Sequence, residues 1–119
     1  MQPRGVPTVV DVTDATLPDE VLSSETLVML DVWGDWCEPC KALEPLLAQF
    51  AQKYAGKLKI CRLNVSSNPR AASAFHIESL PTLLLFRSGR VVGQHVGSAD
   101  RTSLAGLIDS HLGAVRRMA

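Results

Sequence analysis

The segment Trp36-Cys37-Glu38-Pro39-Cys40 holds the side chains best suited to chemistry. Two cysteines at i and i+3 share one face of a helix, about 5–6 Å apart at Cβ. The Cα separation a disulfide needs, about 4.4–6.8 Å, is within reach there with small adjustments. A disulfide across so short a loop adds little stability, because the gain grows with loop length. The pair is therefore a poor staple and a well-placed switch, and reversible thiol–disulfide exchange is the leading reading. A structural clip and a metal site remain open on spacing alone. A closed zinc site takes four ligands. The further candidates are Cys61, His76, His95 and His111, and none is paired at ligand spacing, so no metal is expected.

These cysteines need a scaffold, and the flanking sequence describes one. Leu27-Val28-Met29-Leu30-Asp31-Val32-Trp33 is nearly all apolar, as in a strand buried on both faces. Asp31 is its one charged member, and an ionisable group in such a strand is held with a raised pKa or a partner. Gly34-Asp35 ends the run just before the cysteines. From about Cys37 the apolar period changes: Leu43, Leu46, Leu47, Phe50, Ala51 and Tyr54 form the stripe of an amphipathic helix. Pro39 falls in its first turn, Pro45 inside it, and Gly56 ends it.

Thr8–Val12 reads as an edge strand and Pro18–Leu22 as a short helix. Lys59–Val65 is a further strand, Arg70–Phe75 a short helix, and Leu80–Phe86 a second buried strand with Pro81 near its start. Ser88-Gly89 turns the chain into a returning strand, Val91–Val96. Asp100 caps a last helix carrying Leu104, Leu107, Ile108 and Leu112. The order β, α, β, α, β, α, β, β, α predicts an α/β fold with a central mixed sheet and helices on both faces. Residues 1–7 read as a loose lead-in, 8–114 as one domain, and 115–119, with Arg116-Arg117, as a basic tail.

Composition narrows the function classes. The chain has 119 residues, enough for one core, with 46% hydrophobic and 20% charged residues. Twelve basic residues balance twelve acidic ones, which favours neither nucleic acid nor an anionic membrane as partner. The N-terminal segment lacks the apolar core of a signal peptide, and no apolar run approaches the ~18 residues of a membrane span. The expected address is the cytoplasm, where structural disulfides are rare and a Cys-x-x-Cys is catalytic or metal-binding.

Taken together, several pieces resemble the thioredoxin family. They are Leu30-Asp31-Val32-Trp33, Trp36-Cys37-x-Pro39-Cys40-Lys41, Pro45, Arg62-Leu63-Asn64-Val65, Leu80-Pro81-Thr82-Leu83-Leu84-Leu85-Phe86, Gly89 and Val96-Gly97. The spacing matches from about Val9 to Leu112. The resemblance implies a thioredoxin fold, a central mixed five-stranded sheet flanked by about four helices. It implies protein-disulfide reductase activity through a mixed disulfide, with electron transport and redox homeostasis as its setting. It further implies Cys37 as nucleophile, Cys40 as resolving thiol and Asp31 as buried base. Helix starts stabilise thiolates, an effect for which thioredoxins are a standard example. Trp36, Glu38, Pro39, Leu80, Pro81 and Gly97 form the expected substrate rim, with Arg62 and Lys41 in support. Pro81 is expected after a cis peptide beside the cysteines, leaving the Leu80 backbone free to pair with an extended substrate.

The resemblance implies no bound cofactor beyond the redox-active Cys37–Cys40 pair, and a monomer. Its implied partners are protein disulfides and a thioredoxin reductase fed by NADPH. This sequence departs from the family at Glu38, where Gly is usual, at Arg62, where Lys is frequent, and in the bulkier His76-Ile77-Glu78-Ser79. The alternative is a thioredoxin-fold adaptor or chaperone-like module with little turnover. The oxidant or isomerase direction fits an exported protein with other residues between the cysteines. Cys61, in a strand among apolar neighbours, is expected to be an inert buried thiol. Trp33 is expected to pack in the core, and His76 to sit at the surface.

Overall fold

The structure is a computed structural model that describes residues 8–118, with side chains over 8–112. Its strands are β1 (Val10–Val12), β2 (Leu27–Trp33), β3 (Leu58–Asn64), β4 (Thr82–Arg87) and β5 (Arg90–Val96). Its longer helices are α1 (Glu38–Lys53), α2 (Pro69–Ala74) and α3 (Arg101–Met118). A helical turn at Pro18–Leu22 closes with a wide bond, from the Ser23 N–H to the Pro18 carbonyl at 2.9 Å.

The strands form one mixed sheet in the order β1-β3-β2-β4-β5. β3 runs parallel to both β1 and β2, while β4 runs antiparallel to β2 and β5. β2 lies at the centre, and its apolar run is buried from Leu27 to Val32 as a doubly covered strand requires. Side chains alternate across the sheet, so the strands feed two cores. On one face Leu27, Met29, Leu58, Ile60, Leu83 and Leu85 pack with Leu43, Leu47 and Phe50 of α1 and Leu104 and Ile108 of α3. On the other, Val28, Leu30, Val32, Cys61 and Leu63 pack with Val21 and with Ala71 of α2. Asp31 and Arg62 continue the first series by alternation and so lie under α1.

Element boundaries differ from the sequence reading at several ends. β1 starts at Val10 and β4 at Thr82, because Pro81 has no N–H to give the ladder. β5 joins β4 through Ser88-Gly89, with φ of 54° and 80°, the two-residue turn whose twist suits a hairpin. α1 ends at Lys53, with Tyr54 as its cap and Gly56 just beyond at φ 83°. The start of α3 is closed reciprocally: the Asp100 carboxylate accepts from the Ser103 N–H at 2.8 Å, and the Ser103 hydroxyl accepts from the Asp100 N–H at 3.1 Å. These bonds hold the Asp100 carboxyl below its usual range. Residues 115–118, read as a tail, are helical, since good helix formers follow Gly113 with no proline to stop them. The lead-in at 1–7 lies outside the described residues.

Candidate active site

The reactive pair sits where β2 hands the chain to α1. Gly34 makes that turn possible by leaving no side chain: a Cβ there would stand 2.9 Å from Leu80 Cδ1 and 3.6 Å from Val65 Cγ2. The Cys37 N–H then bonds back to the Gly34 carbonyl at 3.1 Å. Cys37 is the N-cap of α1, with extended φ and ψ of −93° and 104°, and its Sγ accepts from the Cys40 N–H at 3.2 Å. Pro39 lies in the first turn, where a missing N–H does no harm. The two cysteines form a disulfide with a Cα separation of 5.3 Å, so the protein is in its oxidised state. The sulfurs are unequal in access. Cys37 is 8% exposed and Cys40 0%, while Trp36 projects at 72%.

Cys40, Leu43, Leu47 and Phe50 form the buried stripe of α1 against the sheet. That stripe covers the face of the sheet to which Asp31 belongs by alternation along β2. Asp31 is 0% exposed, and its Oδ2 accepts from Arg62 Nε at 3.0 Å. The contact follows from the parallel register, in which Asp31 and Arg62 are paired neighbours. Burial raises the Asp31 carboxyl from its ordinary 3.8 to about 6, against the opposing pull of Arg62. Arg62 is itself shared: its Nη1 lies 3.3 Å from Glu44 Oε2, and its guanidinium carbon stands 4.2 Å from the centre of the Trp33 ring. Asp31 Oδ1 and Arg62 Nη2 are buried with no hydrogen-bond partner among the described residues.

The proline strand lies beside this turn. The Leu80–Pro81 peptide is cis, as expected. Thr82 pairs with Val32 on one side and Val96 on the other, which sets Leu80 and Pro81 next to the end of β2. Gly97 joins them, its N–H donating to the Pro81 carbonyl at 2.8 Å. Leu80, Pro81 and Gly97 thus lie by the β2–α1 turn, on which Trp36 stands exposed next to Cys37 in the chain. Glu38 is on the solvent side of α1, with its side chain 84% exposed and 3.5 Å from Lys41 Nζ. Lys41 pairs with Glu38 and not with the buried carboxylate. His76 is exposed beside a small depression that it shares with Glu78, Thr82 and Val96.

Trp33 is only partly buried and serves as a platform for Arg62, where a core position was expected. Glu44 was not singled out by the sequence reading. Its signal was present: it lies four residues after Cys40, hence on the same helix face one turn on. Cys61 points to the opposite face of the sheet among apolar side chains, and burial pushes its thiol up to about 11. Among the described residues, no group of three or more His, Cys, Asp or Glu side chains could hold a metal ion, and no helix is long and apolar enough to cross a membrane.

Comparison with known proteins agrees with this geometry. The family model described as Thioredoxin matches residues 8–110. Thioredoxin C-2 of Corynebacterium nephridii is 43% identical over 105 residues, covering 88% of this chain and 97% of that protein. Thioredoxin 1 of a Nostoc species is 41% identical over 101 residues, 85% of this chain and 94% of its own. The thioredoxin of Pseudomonas aeruginosa is 38% identical over 104 residues, 87% of this chain and 96% of its own. A disulfide at a helix start, a buried acid in the neighbouring strand and matches along almost the full length all agree: the chain belongs to the thioredoxin family and is a thiol–disulfide oxidoreductase.

Proposed function

We propose that this protein is a general protein-disulfide reductase in which Cys37 attacks, Cys40 resolves and Asp31 takes the proton. The observation that carries this is the asymmetry of the redox pair: Cys37 is the more exposed of the two at the cap of α1, and Cys40 is fully buried on the helix face that packs on the sheet. In the reduced protein the Cys37 thiolate is favoured by the free N–H groups and dipole of α1. It attacks one sulfur of a substrate disulfide. That S–S bond breaks, the far sulfur leaves as a thiolate and is protonated by solvent, and a mixed disulfide forms. Cys40 then gives its proton to Asp31 and attacks the Cys37 sulfur. The mixed disulfide breaks and the second substrate sulfur leaves, so two electrons have passed from the protein dithiol to the substrate. A base near the working pH serves this transfer best, and a carboxyl raised to about 6 is close to it.

Trp36, Pro39, Leu80, Pro81 and Gly97 supply the surface on which an extended substrate segment docks, with Glu38 at its edge and Lys41 and Arg62 as supporting charges. The family as a whole implies protein disulfides as substrates and a reductase as electron donor. For this chain we take that donor to be an NADPH-fed thioredoxin reductase, the working compartment to be the cytoplasm and the working form to be a monomer. No bound cofactor is required by the cycle. Insulin reduction with dithiothreitol tests the chemistry. Cys37→Ser should abolish the protein's acceleration, and Cys40→Ser should stop turnover while trapping mixed disulfides. Activity surviving loss of Cys37 would refute the enzyme reading, and wild type no faster than Cys37→Ser would favour the adaptor.

A further inference from the structure

Glu44 has no part in the cycle above, yet it is tied to it. On the α1 side, Arg62 is bound to two carboxylates at once, Asp31 through Nε at 3.0 Å and Glu44 through Nη1 at 3.3 Å. The guanidinium carbon stands 4.2 Å from the centre of the Trp33 ring, which packs against the cation. The Arg62 side chain is 12% exposed, and its outer edge lines a cleft of about 320 Å³ shared with Glu44, Asp11 and Gln52. Asp11 on β1 stands opposite Arg62 in register, and on β4 the neighbour of Asp31 is the uncharged Leu83. The charged groups around Asp31 are thus Arg62 first, with Glu44 behind it and Asp11 at the cleft wall.

We propose that Glu44 is a positioning residue for the Cys40 step: by holding one arm of Arg62 it limits how much of that cation acts on Asp31, and so keeps Asp31 basic enough to accept the Cys40 proton. The inference rests on Asp31 being the base. Two like charges sharing one cation raise each other's proton affinity, and Glu44 does add to the upward shift of Asp31. A lone Asp31–Arg62 pair would put the full guanidinium charge on Asp31, and arginine, unlike lysine, cannot relieve this by losing its proton.

The test is the pH–rate profile of the resolving step alone. Cys37 is loaded as a mixed disulfide with 2-nitro-5-thiobenzoate, and release of the coloured thiol by Cys40 is followed in one turnover. Wild type should show an acidic limb set by Asp31, and Asp31→Asn should lose it. Glu44→Gln should move the limb to lower pH by about half a unit, the size of a partly exposed ion-pair contribution. Glu44→Lys should move it further in the same direction. Carbon-13 titration of the Asp31 carboxyl in the oxidised protein should show the same displacements. A limb that persists in Asp31→Asn overturns the base assignment. A limb that vanishes in Asp31→Asn but stays in place in both Glu44 variants overturns the role of Glu44 and leaves Asp31 as the base.

Discussion

Glu38 is the residue between the cysteines that the family usually leaves as glycine, and its effect is set by where its charge goes. The side chain is 84% exposed and lies 3.5 Å from Lys41, so water and an ammonium both weaken its hold on Cys37. A carboxylate near Cys37 disfavours the thiolate, destabilises the dithiol and lowers the reduction potential. An exposed charge near a helix start is worth at most about 0.3–1 kcal/mol, or on the order of 10–20 mV for two electrons. With Lys41 as its partner, Glu38→Gly should raise the potential by no more than the lower part of that range. Redox titration against a dithiol of known potential checks it, and a fall in potential would contradict the electrostatic account. At this scale Cys37, Cys40, Asp31 and Trp36 were legible because their types and local spacing announce them. The ion pair of Glu44 with Arg62 was not, because it depends on which cation the β2–β3 register carries under α1.

At the scale of elements, the turn between β2 and α1 is shaped by its neighbour as much as by its own residues. Leu80 fills the space that a side chain on Gly34 would need. The tip of a leucine can rotate away, so Gly34→Ala should fold with a stability loss of only about 1 kcal/mol. Its cost should fall on Leu80, which must shift to make room and which belongs to the proposed docking surface. The expected outcome is a raised KM for insulin with a nearly unchanged melting temperature. An unchanged KM would show that Leu80 yields in another direction. Elements were legible where the period was strong, as in β2, whose bounds match the sequence reading at both ends. Ends set by proline or by ladder partners, as at Thr82 and Val10, shifted by two residues. The run of α3 past Gly113 was hidden by a basic composition that suggested a tail.

For the whole molecule, a buried carboxylate links the site to stability. Asp31 titrates at about 6 when folded and near its ordinary 3.8 when unfolded. Between those values the folded protein binds more protons than the unfolded chain, so unfolding free energy falls as pH rises through that window. The loss approaches about 3 kcal/mol at neutral pH. Urea unfolding of oxidised wild type and Asp31→Asn at pH 4 and pH 7 should show the variant gaining on wild type by about 2 kcal/mol between the two, because the unfolded carboxyl is already partly ionised at pH 4. Parallel curves would mean that Asp31 remains ionised in the fold.

The position of Cys61 separates two events that are easily confused in the test tube. It lies on the face of the sheet away from the redox pair, wholly buried and protonated at neutral pH. A thiol-labelling reagent added to the native oxidised protein should therefore find nothing to modify, because Cys37 and Cys40 are joined to each other. Reduction should expose label at Cys37 first, while unfolding the oxidised protein should release Cys61 alone. The chain thus carries its own unfolding reporter, and mass spectrometry of the labelled peptides reads fold and redox state as independent signals.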